Sequence, residues 1–413
     1  MTKLEIRPVG PDDDFDAQLD LGQRAFGIYS AQQKASWLYV ARLRASQGLF
    51  LGAFADGVPA GAAMLHDMRQ YWLGSPVACG GVASVKVAPE HRGAGIGRAL
   101  MTGLLDLAAA RGYLVSVLYP ATTPIYRSLG WELAGAKYQF TVPARSLRAL
   151  ARPDVQLADA PAPPVRRVLP ADAATMTAVA AAAHLAARDA GAITWDEGPA
   201  RQWLSREDLY AYFAGDGDGA DGDRPRADGF AAYRWANGDS AELFVERVHA
   251  TTPQALRALW SVIASNASVT RTVRGWTAPD DPFWWLTRER DATISYRSMW
   301  MLRVIDAPGA IAARGFPPAV SVSVPVELTD QARPANAGSW RLTVANGTGT
   351  LIQNGGGSSP VPLTLGPRGL AALYAGTPVA SLRMAGLAAG GAPAADAALD
   401  AAFAATPYMV DDF

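Results

Sequence analysis

Apolar and polar residues alternate along much of this chain, and each change of period marks a change of element. Leu4–Val9 predicts a first strand, closed by the acidic turn Pro11-Asp12-Asp13-Asp14. Phe15, Leu19, Leu21, Ala25 and Phe26 then suggest a helix. A second helical stretch covers Ala31–Ser46 and carries Trp37, Leu38, Val40, Ala41 and Leu43. Leu49–Ala55 and Pro59–Leu65 read as strands joined at Asp56-Gly57, a hairpin signal. The pattern puts Trp37 and Phe26 in the core; a second reading makes one of them a wall of a substrate pocket.

The stretch Val82–Gly112 organises the rest. It opens as a β-branched strand, breaks at Pro89 and passes through Arg92-Gly93-Ala94-Gly95-Ile96-Gly97. Leu100, Leu104 and Leu107 follow at helical spacing, and the helix stops at Arg111-Gly112. A glycine-rich turn between a strand and a helix start gathers backbone N–H groups and a helix dipole at one point, which suits phosphate oxygens. The turn lacks the Gly-Lys-Ser/Thr ending of a P-loop. It opens on Arg rather than Gly, so the dinucleotide fingerprint fails as well. After Gly112 come an apolar strand, Tyr113–Tyr119, and a Thr-rich loop into Pro124-Ile125-Tyr126-Arg127-Ser128-Leu129-Gly130-Trp131.

Residues 141–164 are rich in Pro, Ala and Arg and read as a linker. The chain then starts again. Val165–Leu169 with Pro170-Ala171-Asp172 echoes Ile6-Arg7-Pro8 and its acidic turn. A helix follows over Ala173–Ala187, then strands Asp228–Trp235 and Ala241–Val248 around an Asn237-Gly238 hairpin, then a helix over Pro253–Ala264. This is the pattern of a degenerate copy. Its equivalent of the glycine turn, Val248–Pro253, contains no glycine, so it is expected to cradle no phosphate. Gly215–Gly229 resembles a calcium loop only in its acids; Ala220 and Ala227 stand where an EF-hand needs ligands. From Ser298 a third pattern begins, with strands at Met299–Val304, Val320–Leu328, Trp340–Val344 and Gly349–Ile352, and helices at Gly366–Tyr374 and Ala394–Thr406.

Composition narrows the function. The chain has 413 residues, half of them hydrophobic, and a net charge of −1. Sizeable cores are expected, and a general nucleic-acid binder is not. Cys79 is the only cysteine and reads as core; His66, His91, His184 and His249 lack metal-ligand spacing, so no metal is expected. No apolar run of about 18 residues suggests a membrane span, and the acidic N-terminal stretch does not read as a signal peptide. The expected compartment is the cytoplasm.

The turn Arg92-x-x-Gly95-x-Gly97 after an apolar strand resembles the acetyl-CoA signature of the GNAT N-acetyltransferases, and Tyr126 in its Tyr-x-x-x-Gly-aromatic setting is also GNAT-like. The C-terminal pattern resembles the sterol carrier protein fold. Together with an ending in Asp412-Phe413, the chain resembles the Eis (enhanced intracellular survival) family. That resemblance implies a mixed α/β and α+β chain: a catalytic GNAT domain over 1–150, a GNAT-like domain without a CoA site over 165–290, and a sterol-carrier-like domain over 298–413. It implies that Arg92, Gly93, Gly95, Gly97 and Arg98 hold the CoA pyrophosphate, and that the amides near Val85 and Val87 meet the thioester carbonyl. It implies Tyr126 as general acid, the Phe413 carboxylate as base, and Trp37, Phe26 and Asp412 at the acceptor pocket, with Asp411 also drawing cations to its mouth. It implies acetyl transfer to amines, namely aminoglycosides, with antibiotic resistance as the consequence, or lysine side chains. It implies a homo-oligomer, with a hexamer as the assembly. Two positions depart from the family: Gly93, where a second Arg is common, and Asp412, where Glu is common. The alternative from another class is a lipid carrier whose acetyltransferase domain is a relic.

Overall fold

A computed structural model describes residues 4–148, 162–215, 227–236, 242–354 and 361–413. The Asn237-Gly238 hairpin and nearly all of the acidic Gly215–Gly229 loop lie outside them. The chain divides into two compact units. The first comprises Met1–Gly135, Met299–Thr406 and Asp412–Phe413; the second comprises Ala136–Ser298 and Pro407–Asp411.

The N-terminal stretch runs β1 (Leu4–Pro8), α1 (Phe15–Phe26), α2 (Ala31–Ser46), β2 (Phe50–Ala55), β3 (Val58–Trp72), β4 (Pro76–Val87), α3 (Ile96–Ala110), β5 (Val115–Leu118), α4 (Pro124–Arg127) and β6 (Glu132–Pro143). Helix α2 spans the predicted residues, and Ser30 and Gln33 close a capping box at its start. Asp56 and Gly57 both take positive φ, as a type I′ hairpin requires. Strand β3 runs on to Trp72, past the predicted end at Leu65. Strands β1 to β4 pair antiparallel in order, and β4 pairs parallel with β5. Alternate side chains serve two cores. Phe50, Phe54, Ala62 and Met64 pack with Phe15, Ala41 and Ala45 of α1 and α2, while Leu51, Ala53, Ala63 and Leu65 pack with Leu100, Met101 and Leu104 of α3.

The middle stretch adds α5 (Ala144–Leu147), β7 (Val165–Arg167), α6 (Ala173–Ala187), β8 (Ala190–Trp195), α7 (Glu197–Leu204), β9 (Leu209–Ala214), β10 (Gly229–Trp235), β11 (Glu242–Ala250), α8 (Pro253–Ser265), β12 (Thr272–Thr277), α9 (Phe283–Leu286) and β13 (Thr293–Val304). The linker expectation fails at its start: β6 continues to Pro143 and pairs with β12, Pro143 standing opposite Thr272. Phe140 and Val142 of that strand are buried with Leu259 and Trp260 of α8, so its apolar positions follow a strand period that the Pro and Arg content hid.

The repeat is written in specific contacts. Arg7 makes two 2.7 Å hydrogen bonds to Asp13, which also accepts from the Gly10 amide. Arg166 makes two at 3.1 Å to Asp172, which accepts from the Leu169 amide. The strand register repeats too. In the first copy Ala62 faces Lys86 and Met64 faces Ala83; in the second Ala232 faces Arg247 and Tyr233 faces Val245. Each central hairpin thus has a β-bulge at the same place, which bends the strand and leaves ladder groups unpaired.

The C-terminal stretch comprises α10 (Ala307–Ala313), β14 (Val322–Leu328), β15 (Gly338–Ala345), β16 (Thr348–Gln353), β17 (Leu363–Leu365), α11 (Pro367–Tyr374), α12 (Val379–Met384), β18 (Ala388–Gly390) and α13 (Pro393–Phe403). Its sheet has the order β16-β15-β14-β17-β18. It belongs to the first unit, where Arg303 of β13 donates to Asp330 and to the Leu129 carbonyl. Among the described residues, no helix is long and apolar enough to cross a membrane, and no group of three His, Cys, Asp or Glu is placed to hold a metal ion.

Candidate active site

The bulge shapes the first half of the site. Ser84 takes φ +52°, and Ser84 and Val85 together face the single residue Ala63. The parallel ladder between β4 and β5 runs from Cys79 opposite Val115 to Gly81 opposite Val117 and stops there. Val85 and Val87 lie beyond its end, with their side chains against the α3 core. Their backbone can therefore meet something other than a neighbouring strand.

The glycines of the following turn divide the work. Gly93 and Gly95 take φ +82° and +80°, with open space where a Cβ would stand. Gly95 is the N-cap of α3 and offers no side-chain cap, so the first-turn amides of Ile96, Gly97 and Arg98 have no acceptor within the helix. Gly97 serves packing: a Cβ there would stand 3.2 Å from Ile125 Cδ1 of α4. Arg92 is exposed, and Arg98 donates to Ser128 Oγ at 3.0 Å. These residues fit a diphosphate, with donors and positive charge together and no side chain in the way. In the second copy Thr252 accepts from the Ala255 amide and Pro253 supplies no N–H, so that helix start is already capped.

Tyr126 sits on α4 beside Ile125. It is 6% exposed and packs edge-on to Trp131 with ring centroids 6.5 Å apart. Burial pushes its hydroxyl above the ordinary range, so it stays protonated at neutral pH. Glu132 fixes this turn, accepting from Arg127 at 2.7 Å and from Arg368 of α11 at 2.6 Å. Burial alone would raise that carboxyl, but the bonds from Arg127, the Leu133 amide and Arg368 hold it below its usual value.

The chain's last residue lies in the first unit. The Phe413 ring is 6.0 Å from the rings of both His66 and Tyr119. Gly81 makes room for it, since a Cβ there would stand 2.9 Å from Phe413 Cε2. Arg44 of α2 donates to His66 Nδ1 at 3.4 Å. Burial and then the Arg44 charge lower the imidazole to about 3, so it is neutral. His66, Gly81 and Arg44 were not singled out from the sequence as site residues; their link to Phe413 is a long-range contact with no local pattern.

Two expectations need correction. Phe26 lies on the buried face of α1 by periodicity, yet as the last residue of that helix it is 53% exposed. Trp37 is partly buried, edge-on to Phe50 at 6.4 Å. Asp411 does not draw cations to a mouth. It is 5% exposed in the second unit and paired with Arg247, which lies 4.1 Å and 4.3 Å from the ring centroids of Trp195 and Trp203. Asp412 is exposed.

The acetyltransferase (GNAT) domain family matches residues 5–134 and, through a second GNAT family, 191–304; the sterol carrier protein domain family matches 307–410. The chain is 30% identical to an uncharacterised N-acetyltransferase of Streptomyces griseus over 73% of each chain. It is 29% identical to the N-acetyltransferase Eis of Mycobacterium tuberculosis, covering 68% of this chain and 69% of that one. Its fold matches the crystal structure of a GCN5-related N-acetyltransferase from Kribbella flavida with a TM-score of 0.88, at 39% identity over 100% of this chain and 99% of that one.

Proposed function

The chain belongs to the GNAT N-acetyltransferases, as an Eis-like member with two GNAT domains and a sterol carrier protein domain, and from that premise we propose that its first domain transfers the acetyl group of acetyl-CoA to an amine. The observation that carries this reading is the bulged strand at Ser84 leading into the open glycine turn at Gly93 and Gly95. On this reading Arg92, Gly93, Gly95, Gly97 and Arg98 receive the diphosphate, and the backbone of Val85 and Val87 receives the thioester carbonyl.

The proposed chemistry balances. The amine nitrogen attacks the thioester carbon, forming the amide bond, and the carbon–sulfur bond breaks. Tyr126 gives its proton to the departing sulfur. The proton lost by the amine goes to the Phe413 carboxylate, directly or through water. An α-carboxyl has a pKa of about 3.5, so it is a weak base whose main contribution is position. Trp37 and Asp412 are proposed at the acceptor pocket. Aminoglycosides and lysine side chains are the proposed acceptors, with antibiotic resistance following from the first, and the proposed setting is a cytoplasmic homo-oligomer such as a hexamer.

The lipid-carrier alternative has less support. A cleft of about 310 Å³ beside α4 and α11 mixes the charged Arg127, Asp330 and Arg368 with Leu129, Ala332 and Leu387, and is not a continuous apolar tunnel. The test is an acetyl-CoA turnover screen across aminoglycosides, polyamines and lysine peptides, with native mass spectrometry of the purified protein. Turnover with bound CoA supports the enzyme; a co-purified lipid without turnover supports the carrier.

A further inference from the structure

The two GNAT copies place a basic residue at the same register position. Lys86 pairs with Ala62 and Arg247 with Ala232, each just past the bulge. Both are buried, at 3% and 9% exposure. Both lie against indoles: Lys86 Nζ is 4.4 Å from the Trp37 ring centroid, and Arg247 is flanked by Trp195 and Trp203. They differ in what neutralises them. Arg247 is paired with the buried Asp411 carboxylate. Lys86 donates to the Gln18 carbonyl at 2.7 Å and has no carboxylate partner among the described residues.

The surroundings of Lys86 hold further unsatisfied groups. Gln18 is fully buried, and among the described residues neither its side-chain oxygen nor its nitrogen has a partner, nor has the Trp37 indole N–H. Gly22 lets the Lys86 ammonium and the Tyr29 hydroxyl come close to the α1 backbone, since a Cβ there would stand 3.3 Å from each. An ammonium offers three donors, and a buried charge without a counter-ion is strongly unfavourable. Burial lowers the Lys86 ammonium to about 7, so a substantial fraction remains charged at neutral pH. An arriving carboxylate would supply the counter-ion that this ammonium lacks among the described residues, beside two residues, Trp37 and Gln18, that carry unpartnered N–H donors.

The position is suited to an acceptor. Lys86 is one residue from Val85 and Val87. Helix α2 covers both ends of the region: Trp37 meets Lys86, and Arg44, two turns along the same helical face, meets His66, on which Phe413 packs. At 1.5 Å per residue the two contacts are about 10 Å apart along α2.

We propose that Lys86, with Trp37 and Gln18, is a carboxylate-binding subsite, and that the first domain acetylates amines that also carry a carboxylate. The inference deepens the acetyltransferase reading and rests on it. It is tested by initial rates of acetyl-CoA consumption on the full chain with two matched pairs, L-lysine against cadaverine and L-ornithine against putrescine. At least one amino acid is expected to exceed its decarboxylated partner tenfold or more in kcat/KM, chiefly through KM. Lys86→Met is expected to bring that ratio near one, Lys86→Arg to restore most of it, and Trp37→Phe to lower it. Calorimetric titration of lysine and cadaverine with CoA present reads the same preference without turnover. A parent enzyme that treats both members of each pair alike, or a folded Lys86→Met that keeps the preference, overturns the subsite. If no amine of any class is acetylated, the acetyltransferase reading itself fails, a distinct result.

Discussion

The Phe413 ring stands 6.0 Å from the His66 imidazole at an interplanar angle of 62°, and Arg44 donates to that imidazole. This contact brings the end of the described chain to the middle of β3. Gly81 lets the ring approach, and Tyr119 flanks it. A few residues added after Phe413 would move the α-carboxylate away from the ring that anchors it. Acetyl transfer is expected to fall steeply while CoA still binds and the melting temperature hardly changes. Deleting Phe413 should act alike. An extended protein with full kcat/KM would remove the carboxylate from the mechanism.

Tyr126→Phe keeps the ring against Trp131 and removes only the hydroxyl proton. General acid–base catalysis contributes about 10²–10⁴-fold, and a loss of kcat in that range is expected with CoA affinity retained. The check is single-turnover kinetics, where chemistry is observed directly; unaltered turnover would assign the proton to water.

Gly95→Glu places a side chain at a φ of +80° and a negative charge in the open space proposed for the diphosphate. A non-glycine residue in this region costs roughly 1–2 kcal/mol, a loss the unit should survive. CoA binding by calorimetry is expected to vanish, against one CoA per parent chain. Two CoA per parent chain would mean that the Thr252-capped helix start of the second copy also binds.

Asp411→Asn leaves Arg247 buried between Trp195 and Trp203 without its counter-ion. Breaking one side of a buried pair costs about 3–5 kcal/mol. The urea midpoint of the transition that reports the second unit should fall accordingly. Asp411→Asn with an unchanged midpoint would show that the pair contributes nothing net.

Stability should rise with pH across two windows. His66 is held neutral down to about 3 in the folded chain, against 6.5 for the free group, so its contribution is lost as pH falls from 6.5 towards 3. Lys86 is lowered from 10.5 to about 7, so its contribution is lost as pH falls from 10.5 towards 7. Denaturant midpoints across pH should therefore flatten below 6.5 in His66→Gln and above 7 in Lys86→Met. A parent-like slope in either variant would assign the dependence to other groups.

Much of this protein was legible in local pattern. Helix α2, the Asp56-Gly57 hairpin, the glycine turn and the setting of Tyr126 are each encoded within a few residues, because side-chain period, turn conformation and capping are short-range. The repeat was visible for the same reason: Arg7 and Asp13 lie six positions apart, as do Arg166 and Asp172. The strand at the start of the supposed linker was not legible, because Pro and Arg content masked a two-residue period that pairing with β12 stabilises. Tertiary structure alone decided three matters. It put Phe413 on His66, exposed Phe26 at the end of its helix, and neutralised Arg247 with Asp411 while Lys86 received no carboxylate among the described residues. Sequence spacing specifies which way a side chain points from its own element. What it meets there depends on which distant segment packs against that face, and no local period carries that information.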